Sequence, residues 1–92
     1  MIRSFRCRDT RDVFDGGTPR RWRSLARLAE RKLNMLDAAQ RLTDLRIPPG
    51  NRLESLLGDR RGQHSIRIND QYRVCFRWEG EDAFDVEIAD YH

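Results

Sequence analysis

A strict alternation of apolar and polar side chains in residues 71–79 restricts the fold of this chain more than any other feature of its sequence. The apolar positions of the segment are Tyr72, Val74, Phe76 and Trp78. Because successive side chains of a β-strand point to opposite faces of the sheet, the pattern predicts a strand with one face in the core. A turn at residues 79–82 and the apolar series Phe84, Val86 and Ile88 predict an antiparallel partner strand.

Three further strands are predicted before this hairpin. Residues 63–68 place Ile66 and Ile68 on one face and end at an Asn-Asp turn. Residues 52–57 form a candidate strand that precedes a turn with glycine at both ends. Residues 2–6 are predicted to form a short first strand.

The first half of the chain has mainly helical periodicity. Thr18 and Pro19 are typical of a helix start, since a hydroxyl caps the helix and proline is favoured at the first helical position. Apolar residues then recur every three or four positions, which predicts one amphipathic helix of about 18 residues. Its apolar positions are Trp22, Leu25, Ala29, Leu33 and Leu36, and its basic positions are Arg20, Arg21, Arg23, Arg27, Arg31 and Lys32. Shorter helices are predicted on either side, one capped by Asp9 or Thr10 and one capped by Asp37.

These elements predict a single domain of the α+β class over residues 1–92, with N-terminal helices on one face of a small, mostly antiparallel sheet. No segment reaches the roughly 18 consecutive apolar residues of a membrane span, and no apolar signal core begins the chain. No membrane association is therefore expected, and the expected location is the cytoplasm. Two cysteines without ligand-spaced histidines predict neither a disulfide framework nor a zinc site.

The charge is distributed unevenly along the chain. Of the 18 basic residues, all but Lys32 are arginine. Residues 1–78 hold every basic residue and nine acidic ones, a charge of +9, whereas residues 79–92 hold six acidic residues and no basic one. Arginine matches phosphate geometry and stacks on bases, so this bias indicates either a nucleic-acid surface or an arginine-rich surface that is simply solvated.

Matching the apolar faces of the strands also predicts a register. The predicted pairs are Trp78–Phe84, Arg77–Asp85, Phe76–Val86, Cys75–Glu87, Val74–Ile88, Ile66–Val74, Arg67–Arg73, Leu53–Ile68 and Glu54–Arg67. The polar face then holds a row of Glu54, Arg67 and Arg73. Tyr91 lies diagonal to Arg73. Because like charges directly opposite are unfavourable, the arginine pair predicts either an anion bound between the two side chains or neutralisation by Glu54 and Glu87. Both arginines are expected to be exposed, so replacing either changes the free energy of unfolding by less than about 1 kcal/mol.

The chain ends in Asp90, Tyr91 and His92. RNA cleavage without a metal needs a proton acceptor, a proton donor and cations that stabilise the phosphorane, and these residue types together with arginine supply all three. Strict alternation places Asp90 and His92 on the helix side of the sheet, away from Arg73. His64 alternates with Ile66 and is interpreted as a packed histidine.

Three segments of the chain form recognisable motifs: residues 44–53, residues 58–73 and the ending Asp90-Tyr91-His92. In these motifs the sequence resembles the HigB-type killer proteins, which are toxins of type II toxin–antitoxin modules in the RelE/ParE superfamily. The resemblance extends over essentially the whole chain and implies a RelE-like fold and a ribosome-dependent mRNA endonuclease that needs no metal or other cofactor. It implies as partners the ribosome, mRNA and a helix-turn-helix antitoxin, and contact with operator DNA only through the antitoxin complex.

The resemblance also implies roles for individual residues. Arg73, in the motif Tyr72-Arg73-Val74, matches the phosphate-stabilising arginine of the superfamily, and the terminal Asp90, Tyr91 and His92 match its active-site residues. Glu54 is the remaining predicted catalytic residue, but it stands where some members have histidine, and Leu57 stands where some have lysine. This departure implies a comparatively mild toxin. The predicted RNA-binding residues are Arg52, Arg60, Arg61 and Arg67.

Two other functions remain open from the sequence. One is a growth inhibitor that does not hydrolyse RNA, as in the gyrase-binding branch of the same superfamily. The other is a role in promoter regulation within a toxin–antitoxin complex, which is compatible with RNA cleavage.

Overall fold

The computed structural model describes residues 1–90 and confirms the predicted α+β class. Two α-helices, α1 (Arg8–Phe14) and α2 (Ala26–Ala38), pack against a four-stranded antiparallel sheet. The strands are β1 (Glu54–Ser55), β2 (His64–Arg67), β3 (Tyr72–Glu79) and β4 (Asp82–Asp90), in that spatial order. Short 3-10 helices occupy Arg20–Trp22, Leu42–Arg46, Pro49–Asn51 and Gly58–Arg60.

The core lies between α2 and the sheet. Ala29, Leu33 and Leu36 are fully buried on one face of α2, and the apolar side chains of β3 contribute Val74 and Phe76 to the same cluster. Burial of this apolar area is the main source of stability in such a domain. Of the helices in residues 1–90, none is long and apolar enough to cross a membrane.

The register of the central strands agrees with the prediction in its inner part. Ile66 pairs with Val74, and Arg67 pairs with Arg73. Val74 also pairs with Ile88 on β4. The sheet is therefore aligned as expected around Arg73.

Beyond Cys75, a β-bulge shifts the register, so the predicted pairs Arg77–Asp85 and Trp78–Phe84 are wrong. Arg77 instead pairs with Phe84, and Trp78 pairs with Ala83. The bulge includes Asp85, whose φ of 53° lies in the left-handed region. An extra residue on one strand moves the following side chains to the opposite face, and apolar alternation does not reveal it.

Strand β1 is shorter than the predicted residues 52–57, and its register differs by two residues. Glu54 pairs with Ser65 rather than with Arg67. Because the side-chain period of a strand is two, Glu54 still faces the same side of the sheet as Arg73. The strand is short because Arg52 has left-handed backbone angles, φ 46° and ψ 58°, and the 3-10 helix Gly58–Arg60 follows soon after.

The predicted first strand over residues 2–6 is also wrong as a continuous element. Ile2 and Phe5 form isolated parallel bridges to β4, at Ala83 and Val86. Between these bridges the Ser4 hydroxyl accepts a hydrogen bond from the Asp85 amide at 2.8 Å. The N-terminal segment thus follows the bulged edge strand without forming a regular ladder.

The helix boundaries depart from the prediction at their caps. Helix α1 begins at Arg8, and the Thr10 hydroxyl accepts a hydrogen bond from the Ile88 amide at 3.0 Å instead of capping a helix. The predicted 18-residue helix is divided in two: the chain turns after the 3-10 helix Arg20–Trp22, and both Trp22 and Leu25 are buried around that turn. Asp37 lies inside α2, where its carboxylate accepts from the Ile2 amide at 2.8 Å.

Candidate active site

The guanidinium of Arg73 is buried and held by the protein itself, which corrects the expectation that it is exposed. The residue is 8% exposed. Its Nε donates to the Ser65 hydroxyl at 2.7 Å, and its Nη2 donates to the carbonyl oxygen of Arg52 at 2.5 Å. The segment that leads into β1 covers this part of the sheet, so an arginine on the face opposite the helices is enclosed there. Its position is set by directed hydrogen bonds rather than by solvent.

The residue before Arg52 is anchored by a polar cluster. Asn51 is fully buried, and its Nδ2 donates to the carbonyl of Leu45 at 3.1 Å. Its Oδ1 accepts from Lys32 Nζ at 2.5 Å. The pKa of Lys32 is lowered, mainly by burial and further by the positive charges of Arg31 and Arg67. The only lysine of the chain therefore links α2 to the segment that positions Arg73.

Sequence reasoning did not identify Ser65, Asn51 or Lys32 as parts of the site. The one available signal was the presence of a single lysine among 18 basic residues. An ammonium group suits a single buried carbonyl oxygen, whereas a guanidinium needs partners for a planar fork.

A polar pocket of about 280 Å³ opens beside Arg73. Its lining residues are Arg52, Glu54, Arg67, Asn69, Asp70 and Arg73. Glu54 has a carboxylate oxygen 3.7 Å from Arg73 Nη2, and Arg67 forms an ion pair with the exposed Asp70. The pocket thus combines three cationic side chains with two carboxylates, those of Glu54 and Asp70, each more than half exposed.

The structure brings some of the predicted residues together and separates others. Arg52, Arg67, Glu54 and Arg73 line the pocket. Arg60 is held elsewhere, since its Nη1 lies 2.6 Å from Glu87 Oε1 and 3.2 Å from Gln63 Oε1. Arg61 is exposed in the turn that follows β1. Glu87 therefore neutralises Arg60 and not the Arg67–Arg73 pair.

The C-terminal residues are described only as far as Asp90. Asp90 pairs with Tyr72 at the end of β4 and accepts a hydrogen bond from Gln71 Nε2 at 3.0 Å. The register therefore agrees with the expectation that Asp90 belongs to the helix side. Tyr91 and His92 lie outside the described residues.

A second pocket of about 420 Å³ lies on the other side of Glu54. Its lining residues are Leu42, Thr43, Arg46, Pro49, Leu53, Glu54, Ser55 and His64. His64 is half-buried, with its Nδ1 3.3 Å from the Ser55 hydroxyl and its ring 6.0 Å from that of Phe76. Burial lowers the pKa of His64. Glu54 is thus shared by a purely polar pocket and a partly apolar one.

The chemistry available at this site is that of anion binding and proton transfer. Arg73 is held rigidly beside an open pocket, as required of a group that stabilises charge developing on a phosphate. Glu54 is an accessible proton acceptor beside it. Within residues 1–90, no group of three or more His, Cys, Asp or Glu residues is arranged as a metal site. Cys75 is fully buried, and burial raises the pKa of its thiol.

Comparison with known proteins relates this arrangement to a family. The family model described as "RelE-like toxin of type II toxin-antitoxin system HigB" matches residues 9–92. Toxin HigB-1 of Vibrio cholerae is 62% identical over 48 residues, which cover 52% of this chain and 50% of that protein. An uncharacterised protein of Haemophilus influenzae is 39% identical over 60 residues, 65% of this chain and 59% of its own length. The matched segments thus span about half of the first relative and somewhat more than half of the second. Because the family model covers nearly all of residues 1–92, the chain belongs to the HigB family of RelE-like toxins of type II toxin–antitoxin systems.

Proposed function

We propose that this protein is a ribosome-dependent endoribonuclease that cleaves mRNA and so arrests translation. The observation that carries the proposal is the geometry of Arg73, which is fixed by Ser65 and the Arg52 carbonyl beside an open polar pocket. A preorganised cation of this kind stabilises a transition state more than a flexible surface arginine does, because it needs no reorganisation during the reaction.

In the proposed reaction, the 2′-hydroxyl oxygen of one nucleotide attacks the adjacent phosphorus, and the bond from phosphorus to the 5′ oxygen breaks. Glu54 accepts the proton of the 2′-hydroxyl, and a group of the C-terminal Asp90-Tyr91-His92 segment donates a proton to the 5′ oxygen. The products are a 2′,3′-cyclic phosphate and a 5′-hydroxyl end. Arg73 stabilises the negative charge of the phosphorane, and Arg67 holds the flanking phosphate.

The basic side of the helical region supports docking on ribosomal RNA. Arg23, Arg27 and Arg31 are exposed and recur at four-residue spacing. Arginine contacts to phosphates position a protein on RNA without reading its sequence. The ribosome then supplies the single-stranded mRNA, and the toxin supplies the chemistry.

Membership of a toxin–antitoxin family implies an antitoxin partner. We propose that this partner has a helix-turn-helix fold and carries the complex to operator DNA, while the toxin itself makes no sequence-specific DNA contact. The expected gene arrangement is an adjacent open reading frame that encodes such a protein.

The decisive experiment is single-turnover cleavage on purified ribosomes programmed with a defined mRNA. We expect 5′-hydroxyl ends within the A-site codon, and no cleavage when a drug has emptied the ribosomes of mRNA. Arg73→Lys keeps the charge but not the fork of donors, and Arg73→Ala removes both. We expect the alanine variant to cleave about 100-fold more slowly, equivalent to about 2.7 kcal/mol in the barrier.

Two outcomes would contradict this function. Equal cleavage of naked and ribosome-bound mRNA would exclude ribosome dependence. Full activity of a folded Arg73→Ala variant would exclude the proposed role of Arg73. A Glu54→Gln variant tests the base, for which a loss of at least about 100-fold is expected, and Glu54→His tests whether histidine at this position strengthens growth arrest at matched expression.

A further inference from the structure

The pocket on the far side of Glu54 has no role in the chemistry described above. It differs in character from the polar pocket beside Arg73, which we call the phosphate pocket after the group proposed to bind there. Three of its lining residues, Leu42, Pro49 and Leu53, are apolar, whereas the lining residues of the phosphate pocket are all polar. Its volume of about 420 Å³ falls within the range of sites that hold small organic groups. Glu54 lines both pockets, so its carboxylate lies at the boundary between them.

We propose that this second pocket binds an unstacked nucleobase of the mRNA, next to the phosphate that is cleaved. The proposal rests on the proposed function and names a subsite of its substrate. Attack by a 2′-hydroxyl requires its oxygen, the phosphorus and the 5′ leaving oxygen to lie in line. Stacked, helical RNA does not provide this alignment, so a base beside the scissile phosphate leaves the stack and needs a binding site of its own.

The lining of the pocket suits such a base. An unstacked base has apolar faces and a polar edge, and proteins bind it between apolar side chains with hydrogen bonds at the edge. Leu42, Pro49 and Leu53 supply the apolar walls, and Arg46 and Thr43 supply donors for the edge. The polar phosphate pocket takes the backbone, and the partly apolar pocket takes the base.

His64 and Ser55 close the side of the pocket next to the sheet. The 3.3 Å contact between His64 Nδ1 and the Ser55 hydroxyl fixes the imidazole against that wall. Because burial lowers the pKa of His64, the ring is a neutral group that contacts a base without adding charge. Among the lining residues of this pocket Glu54 is the one carboxylate, and it also lines the pocket beside Arg73.

The first test is the nucleotide preference of cleavage on programmed ribosomes whose A-site codons are varied systematically. Thr43 and Arg46 are both exposed, so Thr43→Trp fills the pocket and Arg46→Ala removes a donor without disturbing the core. We expect Thr43→Trp to slow cleavage at least tenfold and both variants to change the relative cleavage of codons at least threefold. Arg8→Ala is the matched control, because it removes one exposed arginine outside both pockets.

The second test measures binding without cleavage. A dinucleotide with a 2′-O-methyl group at the attacking position is titrated into the isotope-labelled protein and followed by amide chemical shifts. We expect shifts at residues 42–46 and 64 as well as at 67–73, and loss of the first set in Thr43→Trp.

The outcomes separate the subsite from the function on which it rests. Shifts confined to residues 67–73, or codon preferences of both variants identical to those of the wild-type protein, overturn the subsite. Shifts in both sets together with intact mRNA on ribosomes overturn the proposed ribonuclease function while the base site stands.

Discussion

The two faces of the central strands are both buried, but they are held by different forces. On the side of α2, Val74 and Phe76 are enclosed by apolar side chains, and these contacts are non-directional. On the other side, Arg73 and Ser65 are nearly as well enclosed, yet each is held by hydrogen bonds of defined length and direction. Packed apolar side chains can shift slightly at little cost in stability. A buried guanidinium that loses a hydrogen-bond partner is left with an unpaired polar group, which lowers stability. The comparison predicts that loss of an apolar side chain on the α2 side lowers stability most, whereas loss of a polar partner on the other side lowers it less and alters the position of Arg73.

The largest effect that tests this contrast is expected from a phenylalanine on each face. Phe76 is fully buried on the α2 side, whereas the bulge turns Phe84 toward Arg77 on the polar side, where it is half-buried. We expect Phe76→Ala to lower the free energy of unfolding by about 3–5 kcal/mol, the usual result of creating a large cavity. Phe84→Ala is the matched control, and its loss is expected to be less than half as large.

Denaturant melts of the two variants at one temperature make this comparison. Equal losses would mean that the polar side contributes apolar packing comparable to that of the α2 side. The distinction between the two faces would then be wrong.

A smaller loss of stability is expected from the two arginines that lie opposite each other. Arg73→Ala removes donors to Ser65 and to the Arg52 carbonyl and leaves the buried Ser65 hydroxyl without this donor, so we expect a loss of about 2–3 kcal/mol. Arg67 is paired with the fully exposed Asp70, and its removal is expected to cost less than about 1 kcal/mol. Urea midpoints of the two variants measure the difference.

The cross-strand pair also separates structure from catalysis. Arg67→Ala is expected to retain wild-type stability and to lose some cleavage activity, whereas Arg73→Ala loses both. If Arg73→Ala unfolds at the same urea concentration as Arg67→Ala, the hydrogen bonds of Arg73 contribute nothing to stability and its burial is of no structural consequence.

The sequence predicted those parts of the fold that many side chains determine together. Apolar alternation predicted β3 and the pairing of Val74 with both Ile66 and Ile88, and the helical spacing of apolar residues predicted the apolar face of α2. In each case many side chains follow the same period. It did not predict the bulge at Asp85. The bulge depends on one residue with a positive φ, and the apolar pattern of the sequence contains no signal for it.

Around the candidate site the sequence predicted which residues share a face of the sheet, but not that Arg73 is buried. The register correctly placed Arg67 opposite Arg73, and Glu54 lies on the same side despite its two-residue shift. Alternation assigns a residue to a face but does not say whether a loop covers that face. The left-handed turn at Arg52 brings its carbonyl over Arg73, and this converts an expected surface arginine into a buried one.

The smallest effect concerns pH and depends on His64, at the edge between the two faces. Burial lowers the pKa of this imidazole in the folded protein below its ordinary value of 6.5. As the pH falls below about 6.5, the unfolded chain therefore binds a proton at His64 before the folded protein does, and unfolding becomes more favourable. The stabilising contribution of neutral His64 is fully present above that pH and declines as the pH falls toward the lowered pKa.

We expect the free energy of unfolding, measured between pH 7.5 and about 5, to fall less steeply in His64→Gln than in the wild-type protein, because glutamine has no proton to gain. Carboxylates titrate mainly below this window and are common to both proteins, so their contribution cancels in the difference. Parallel curves for the two proteins would show that His64 gains its proton equally easily in both states, and that the pocket wall it forms is open to water.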